Sequence, residues 1–136
     1  MIQRIQSVWL LLAGACAFLS VKLPYYSGTN AKGTPSYELN ATENLPLLCT
    51  TIFTGVLALA IIFLYKKRTL QLRLCVLGIL SEALLIFLYY REVKTFTLGT
   101  YSLWAILHSL TVILFFLAAR AVNKDEKLIK NSDRLR

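Results

Sequence analysis

The chain is short of the residues from which soluble enzymes assemble their sites. Its 136 residues include one histidine, one methionine, three cysteines and only seven acidic residues. A single histidine cannot supply both axial ligands of a haem within one chain. Cys16, Cys49 and Cys75 form no C-x-x-C, which argues against a quinone-linked thiol oxidase. There is no glycine-rich phosphate loop, no serine in a nucleophile elbow and no pair of carboxylates within an apolar stretch. These gaps lead to the expectation of a protein that is not an enzyme and that uses no cofactor and no metal.

Apolar residues are plentiful. Hydrophobic residues make up 57% of the sequence, and the mean hydropathy is +0.59. Four stretches, 5–22, 45–65, 72–90 and 101–119, approach the roughly 20 apolar residues needed to cross a bilayer. The expected fold is all-α: one domain over 1–136, an integral membrane bundle of four transmembrane helices, with an outer loop at 23–44 and a cytoplasmic tail at 120–136. The net charge of +8 is unevenly spread. With the N-terminus inside, Arg4, Lys66, Lys67, Arg68, Arg73, Arg120, Lys124, Lys127, Lys130, Arg134 and Arg136 fall on the cytoplasmic side. Only Lys22, Lys32, Arg91 and Lys94 fall outside. This bias predicts both termini in the cytoplasm and makes the lipid bilayer the partner of the basic residues. Nucleic-acid binding is not expected, because the basic residues are not interleaved with exposed aromatics.

The stretch WLLLAGACAFLS, Trp9 to Ser20, resembles both a lipoprotein signal and the middle of a membrane helix. Apolar residues continue past Cys16 to Val21, beyond where a secretory signal stops, so an uncleaved first helix is expected. At roughly 1.5 Å per residue the three cysteines lie at different depths and do not converge on a metal or a disulfide. Small residues at Ala13, Gly14 and Ala17, and at Thr51 and Gly55, suit close helix contacts. The outer loop is long enough for a hairpin or a surface helix, and periodicity does not choose between them. Asn44 is placed to cap the second helix, with Pro46 in its first turn. Tyr25, Tyr26, Tyr89, Tyr90, Tyr101 and Trp104 mark the outer interface. The links between helices two and three and between helices three and four are short, so these are antiparallel neighbours.

Only Glu82 is an acid deep inside an apolar stretch. It sits roughly 15 Å from the inner face, while His108, on the fourth helix, lies roughly 10 Å below the outer one. That leaves about 5 Å between them in depth on neighbouring helices, so Glu82–His108 is the expected intramembrane polar pair. A buried membrane carboxylate marks either a proton-linked site or a polar contact that fixes packing. The absence of a second acid or a polar path favours packing.

The two ends carry a further signal. MIQRIQ at residues 1–6 and DEKLI with SDRLR at 125–129 and 132–136 resemble a bacterial family of small four-helix inner-membrane proteins without assigned activity. The resemblance implies the architecture and an inner (cytoplasmic) membrane location. It also draws attention to Gln3, Arg4, Gln6, Asp125, Glu126, Lys127, Asp133, Arg134 and Arg136 as contact residues for a membrane-protein or cytoplasmic partner, with ion pairs from Arg4 to Asp125, Glu126 or Asp133. The expected role is a non-enzymatic accessory or scaffolding subunit of an inner-membrane complex. The alternative is a small dimeric proton-coupled transporter using Glu82, and homo-oligomerisation stays open in either case.

Overall fold

The computed structural model describes residues 3–136, with side chains from residue 5 onward. Four α-helices, α1 (Gln3–Ser20), α2 (Leu45–Phe63), α3 (Arg68–Val93) and α4 (Ile106–Arg134), run antiparallel in sequence order. Each packs on two neighbours: α1 on α2 and α4, and α3 on the same two, which closes a four-membered ring.

The buried residues show why the ring forms. Along α1 they include Gln6, Leu10, Ala13, Ala17 and Ser20, and along α2 Leu47, Thr51, Thr54, Ala58 and Ile61. On α3 they include Gln71, Cys75, Gly78, Glu82, Leu85 and Tyr89, and on α4 His108, Thr111, Phe115, Ala118, Val122 and Asp125. Every series advances in alternating steps of three and four, the 3.5-residue period that keeps one seam of a helix against its neighbours in a left-handed bundle. Close approach depends on small residues in two places. A Cβ on Gly78 would lie 2.6 Å from the Phe115 ring, and one on Gly55 2.8 Å from the Phe18 ring.

The bundle buries polar side chains among its apolar core and exposes apolar ones. Gln6, Thr51, Thr54, Gln71, Ser81, Glu82, His108, Thr111 and Asp125 are buried. Outside, Leu11, Leu19, Phe53, Phe63, Leu80, Phe87, Ile113 and Phe116 are exposed. An apolar exterior of this extent marks a surface made for lipid or for another apolar partner. Helices α2, α3 and the 103–134 segment are long and apolar enough to cross a membrane, and α1 contributes a shorter apolar helix over Ile5–Ser20.

The architecture is not purely helical. Strands β1 (Tyr26–Asn30), β2 (Tyr37–Leu39) and β3 (Phe96–Tyr101) form an antiparallel sheet in the order β2-β1-β3. The hairpin option for loop 23–44 is thus the one adopted, and the link between α3 and α4, read as a plain connection, supplies the third strand. Tyr26 pairs with both Leu39 and Tyr101, and Gly28 faces Gly99, with a bulge between Thr29 and Asn30. The sheet closes one end of the bundle: Tyr26, Leu39 and Ala41 pack with Leu47, Leu85 and Tyr89 into a second core.

The helix bounds also depart from the apolar runs. Helix α3 begins at Arg68, a turn before the first long apolar run, because charged residues join a helix as readily as apolar ones. Helix α4 continues to Arg134 through the segment expected as a separate tail, since nothing from residue 103 onward is glycine or proline. Asn44 occupies the cap of α2, and Pro46 lies in its first turn, but the Asn44 side chain makes no capping hydrogen bond.

Candidate functional site

Polar groups on the helix seams meet at three levels. At the end where α2 turns into α3, the Gln6 amide donates to the carboxylate of Asp125, and both residues are 5% exposed. Arg68 donates from Nη1 to the Asp125 carbonyl at 3.2 Å, and Gln71 donates from Nε2 to the Ile61 carbonyl at 3.2 Å. Three helices are tied at Asp125. In the middle, the hydroxyls of Thr54 and Ser81 approach to 3.1 Å between α2 and α3. Each also reaches a carbonyl of its own helix, Thr50 for Thr54 and Gly78 for Ser81. With one proton per hydroxyl, only two of these three bonds form at once.

Toward the sheet end lies the Glu82–His108 pair. Glu82 Oε1 and His108 Nδ1 are 3.4 Å apart, with the side chains 1% and 3% exposed. The separation exceeds the usual range of an N–H···O bond, so the contact is a loose one. The second carboxylate oxygen of Glu82 and the hydroxyl of Tyr89 are buried without a hydrogen-bond partner. Aromatic rings roof the pair. Tyr25 stacks on Tyr89 at 4.2 Å with 15° between planes, and both face His108, at 5.4 Å and 5.1 Å. Tyr101 meets Tyr25 edge-on at 5.9 Å. Burial, and after it the neighbouring Tyr101, pushes the Tyr25 hydroxyl above its ordinary value. On the sheet itself, the Tyr37 hydroxyl is pushed up chiefly by its hydrogen bond to Glu43.

Among the described residues, no group of three or more His, Cys, Asp or Glu is arranged to hold a metal. Cys16, Cys49 and Cys75 are free thiols. An open groove on the outside of α2 and α3 is lined by Cys49, Phe53, Leu77, Leu80 and Leu84, and it is apolar like the surface around it.

The contact residues at the two ends separate into groups. Gln6 and Asp125 face each other inside the bundle, so neither presents a surface to a partner. Glu126 pairs with Lys130 at 2.8 Å, one turn along α4. Lys127, Asp133, Arg134 and Arg136 are exposed. The side chains of Gln3 and Arg4, and with them the expected Arg4 ion pairs, lie outside the described residues.

A family model described as a domain of unknown function, DUF4293, matches residues 2–135. The chain belongs to this family. No curated protein matches it. The match spans nearly the whole chain, so the polar levels, the aromatic roof and the extended α4 all lie within the DUF4293 region.

From the sequence Tyr25 and Tyr89 read as interface anchors, because both lie near helix ends; the structure places their rings against His108. Tyr89 carried a usable signal. It lies seven residues after Glu82, on the same seam, and is fully buried. Tyr25 carried none, because the sheet fold brings it over the bundle.

Proposed function

We propose that the protein is a four-span membrane subunit without enzymatic activity, both termini on the cytoplasmic side, that assembles with another protein through the exposed end of α4. The four-span reading is supported by packing. Leu10 and Ala13 of α1 share a core cluster with Ala58 of α2 and Ala118 of α4, so α1 occupies the depth of helices long enough to cross. An even number of crossings returns both ends to one side, and the excess of lysine and arginine there supports the cytoplasm as that side.

One observation carries the subunit reading: α4 is a single helix of 29 residues. At 1.5 Å per residue it is about 43 Å long, against a hydrocarbon thickness of about 30 Å. The excess is an ordered arm anchored at Asp125. It presents Leu128 and Ile129, each 45% exposed, beside Lys127, Lys130 and Arg134. An ordered helix with exposed aliphatic and basic residues suits docking into a groove on a partner.

The test is native purification through a tag in the Gly33 loop, with and without residues 127–136. That cut spares Asp125 and its three-helix junction. A stoichiometric partner held by the full chain and lost from the shortened one is the expected result. A partner-free homodimer from both would reject the subunit reading.

The unpaired oxygen of Glu82 favours a second reading, a dimeric proton-coupled transporter. Under it, Glu82→Gln abolishes pH-driven solute movement in proteoliposomes. Under the subunit reading the variant retains its partner.

A further inference from the structure

The connection between α2 and α3 gathers an unusual amount of one charge. Lys66, Lys67, Arg68 and Arg73 line a cavity of about 430 Å³ together with Thr69 and Leu70, and no acidic side chain contributes to its wall. Arg68 is anchored, half-buried, by its bond to the Asp125 carbonyl. Lys66, Lys67 and Arg73 are exposed. Four cations gathered at this turn and the start of α3 repel one another unless an anion sits among them. Further donors face the same end, because the first-turn amides of α3 have no intrahelical acceptor and Lys67 supplies no side-chain cap.

The surroundings indicate what kind of anion fits. Leu70 lines the cavity itself, and Phe63, 80% exposed, ends α2 just before the turn. A cationic cup continuous with an apolar helix surface matches an amphiphile better than a free ion. A phosphate would sit among the lysines and arginines, and its acyl chain would lie along the bundle exterior.

We propose that the α2–α3 turn binds one anionic phospholipid, its headgroup phosphate held by Lys66, Lys67, Arg73 and the start of α3. The site rests on the membrane placement proposed above, but it does not depend on the partner or on the role of α4. Through Arg68 it adjoins Asp125, so an occupied site would brace the junction from which the α4 arm departs.

The experiment uses the full chain in mild detergent, with native mass spectrometry against phosphatidylglycerol, phosphatidylcholine and inorganic phosphate. Phosphatidylglycerol is expected to remain at one per chain, phosphatidylcholine to be lost, and inorganic phosphate at equal concentration to displace nothing. The triple variant Lys66→Gln, Lys67→Gln, Arg73→Gln should bind phosphatidylglycerol at least about tenfold more weakly. The variant Lys127→Gln, Lys130→Gln, Arg134→Gln removes the same charge from α4 and should bind like the parent. Should the triple variant fail to fold, Lys67→Gln alone still tests the site and should weaken binding severalfold. Equal binding by the turn and arm variants, or equal retention of the two lipids, would overturn the proposal, and full competition by inorganic phosphate would overturn its lipid identity. Alkaline carbonate extraction tests the membrane placement separately: release of the chain rejects that placement, whatever the lipid result.

Discussion

At the scale of single residues, the bundle depends on what it leaves out as well as on what it contains. Phe115 is fully buried, so its ring cannot retreat from a Cβ placed on Gly78. Phe18, 41% exposed, can swing away from one on Gly55. Gly78→Ala is therefore expected to destabilise the protein by about 1–3 kcal/mol, and Gly55→Ala by clearly less, as read by denaturant unfolding in detergent. Equal costs would show that Phe115 is as free to move as Phe18. The loose Glu82–His108 contact gives a second expectation. A double-mutant cycle of Glu82→Gln and His108→Ala should return a coupling of about 0.6 kcal/mol, the usual value for polar contacts between membrane helices, and not more than about 1.7 kcal/mol. A larger coupling would identify a strong ion pair and raise the weight of a proton-linked role. The sequence already singled out both residues, because a lone acid in an apolar run and a lone histidine at similar depth stand out. The rings above them did not, since the chain brings Tyr25 there only by folding the hairpin.

At the scale of elements, apolar run length located the four helices but not their limits. It identifies the part of a helix that avoids water, whereas backbone hydrogen bonding continues as long as no residue breaks it. Arg68–Gln71 and Arg120–Arg134 were accordingly assigned to connections or tail, although both belong to helices. The sheet escaped for a different reason. FTLGTY at 96–101 has the aromatic and β-branched content of a strand, but it falls where the apolar runs leave only a short link between two helices. Its pairing can be tested at Gly28, where a Cβ would lie 2.1 Å from the Leu98 carbonyl oxygen. Gly28→Val should abolish hydrogen-exchange protection of the β3 amides while the helical circular dichroism stays unchanged. Retained protection would mean that β1 and β3 are not paired there. The arm of α4 makes its own prediction. Ile129→Pro keeps nearly the whole composition but removes a helical hydrogen bond and kinks the chain, at a cost of about 3 kcal/mol. Partner retention should fall as it does on truncation if the arm docks as a helix, and should persist if only its charge is read.

At the scale of the whole molecule, polar side chains are buried among an apolar core, the helix exterior is apolar, and the helix seams follow a 3.5-residue period. This pattern was in the sequence but was hidden by reading each stretch for its average hydropathy. Thr54, Gln71 and Thr111 attract no notice singly, yet each is buried on the seam of its helix, as are Gln6 and Thr51. In an apolar medium hydrogen bonds join helices where burial of carbon cannot. Gln6 reaches Asp125, Gln71 reaches the Ile61 carbonyl and Thr54 meets Ser81, while Thr51 and Thr111 bond carbonyls of their own helices. The same design leaves one conspicuous projection, the end of α4. Under the proposed function this projection is held by another protein. Site-specific photocrosslinking in living cells, with the probe at Leu128 or Ile129 and a control at Phe87 on the lipid-facing side of α3, tests it most directly. One discrete adduct of constant mass is expected from the arm positions and none from Phe87. Absence of any adduct at the arm, or an adduct only of the mass of two copies of this chain, would contradict the proposed function.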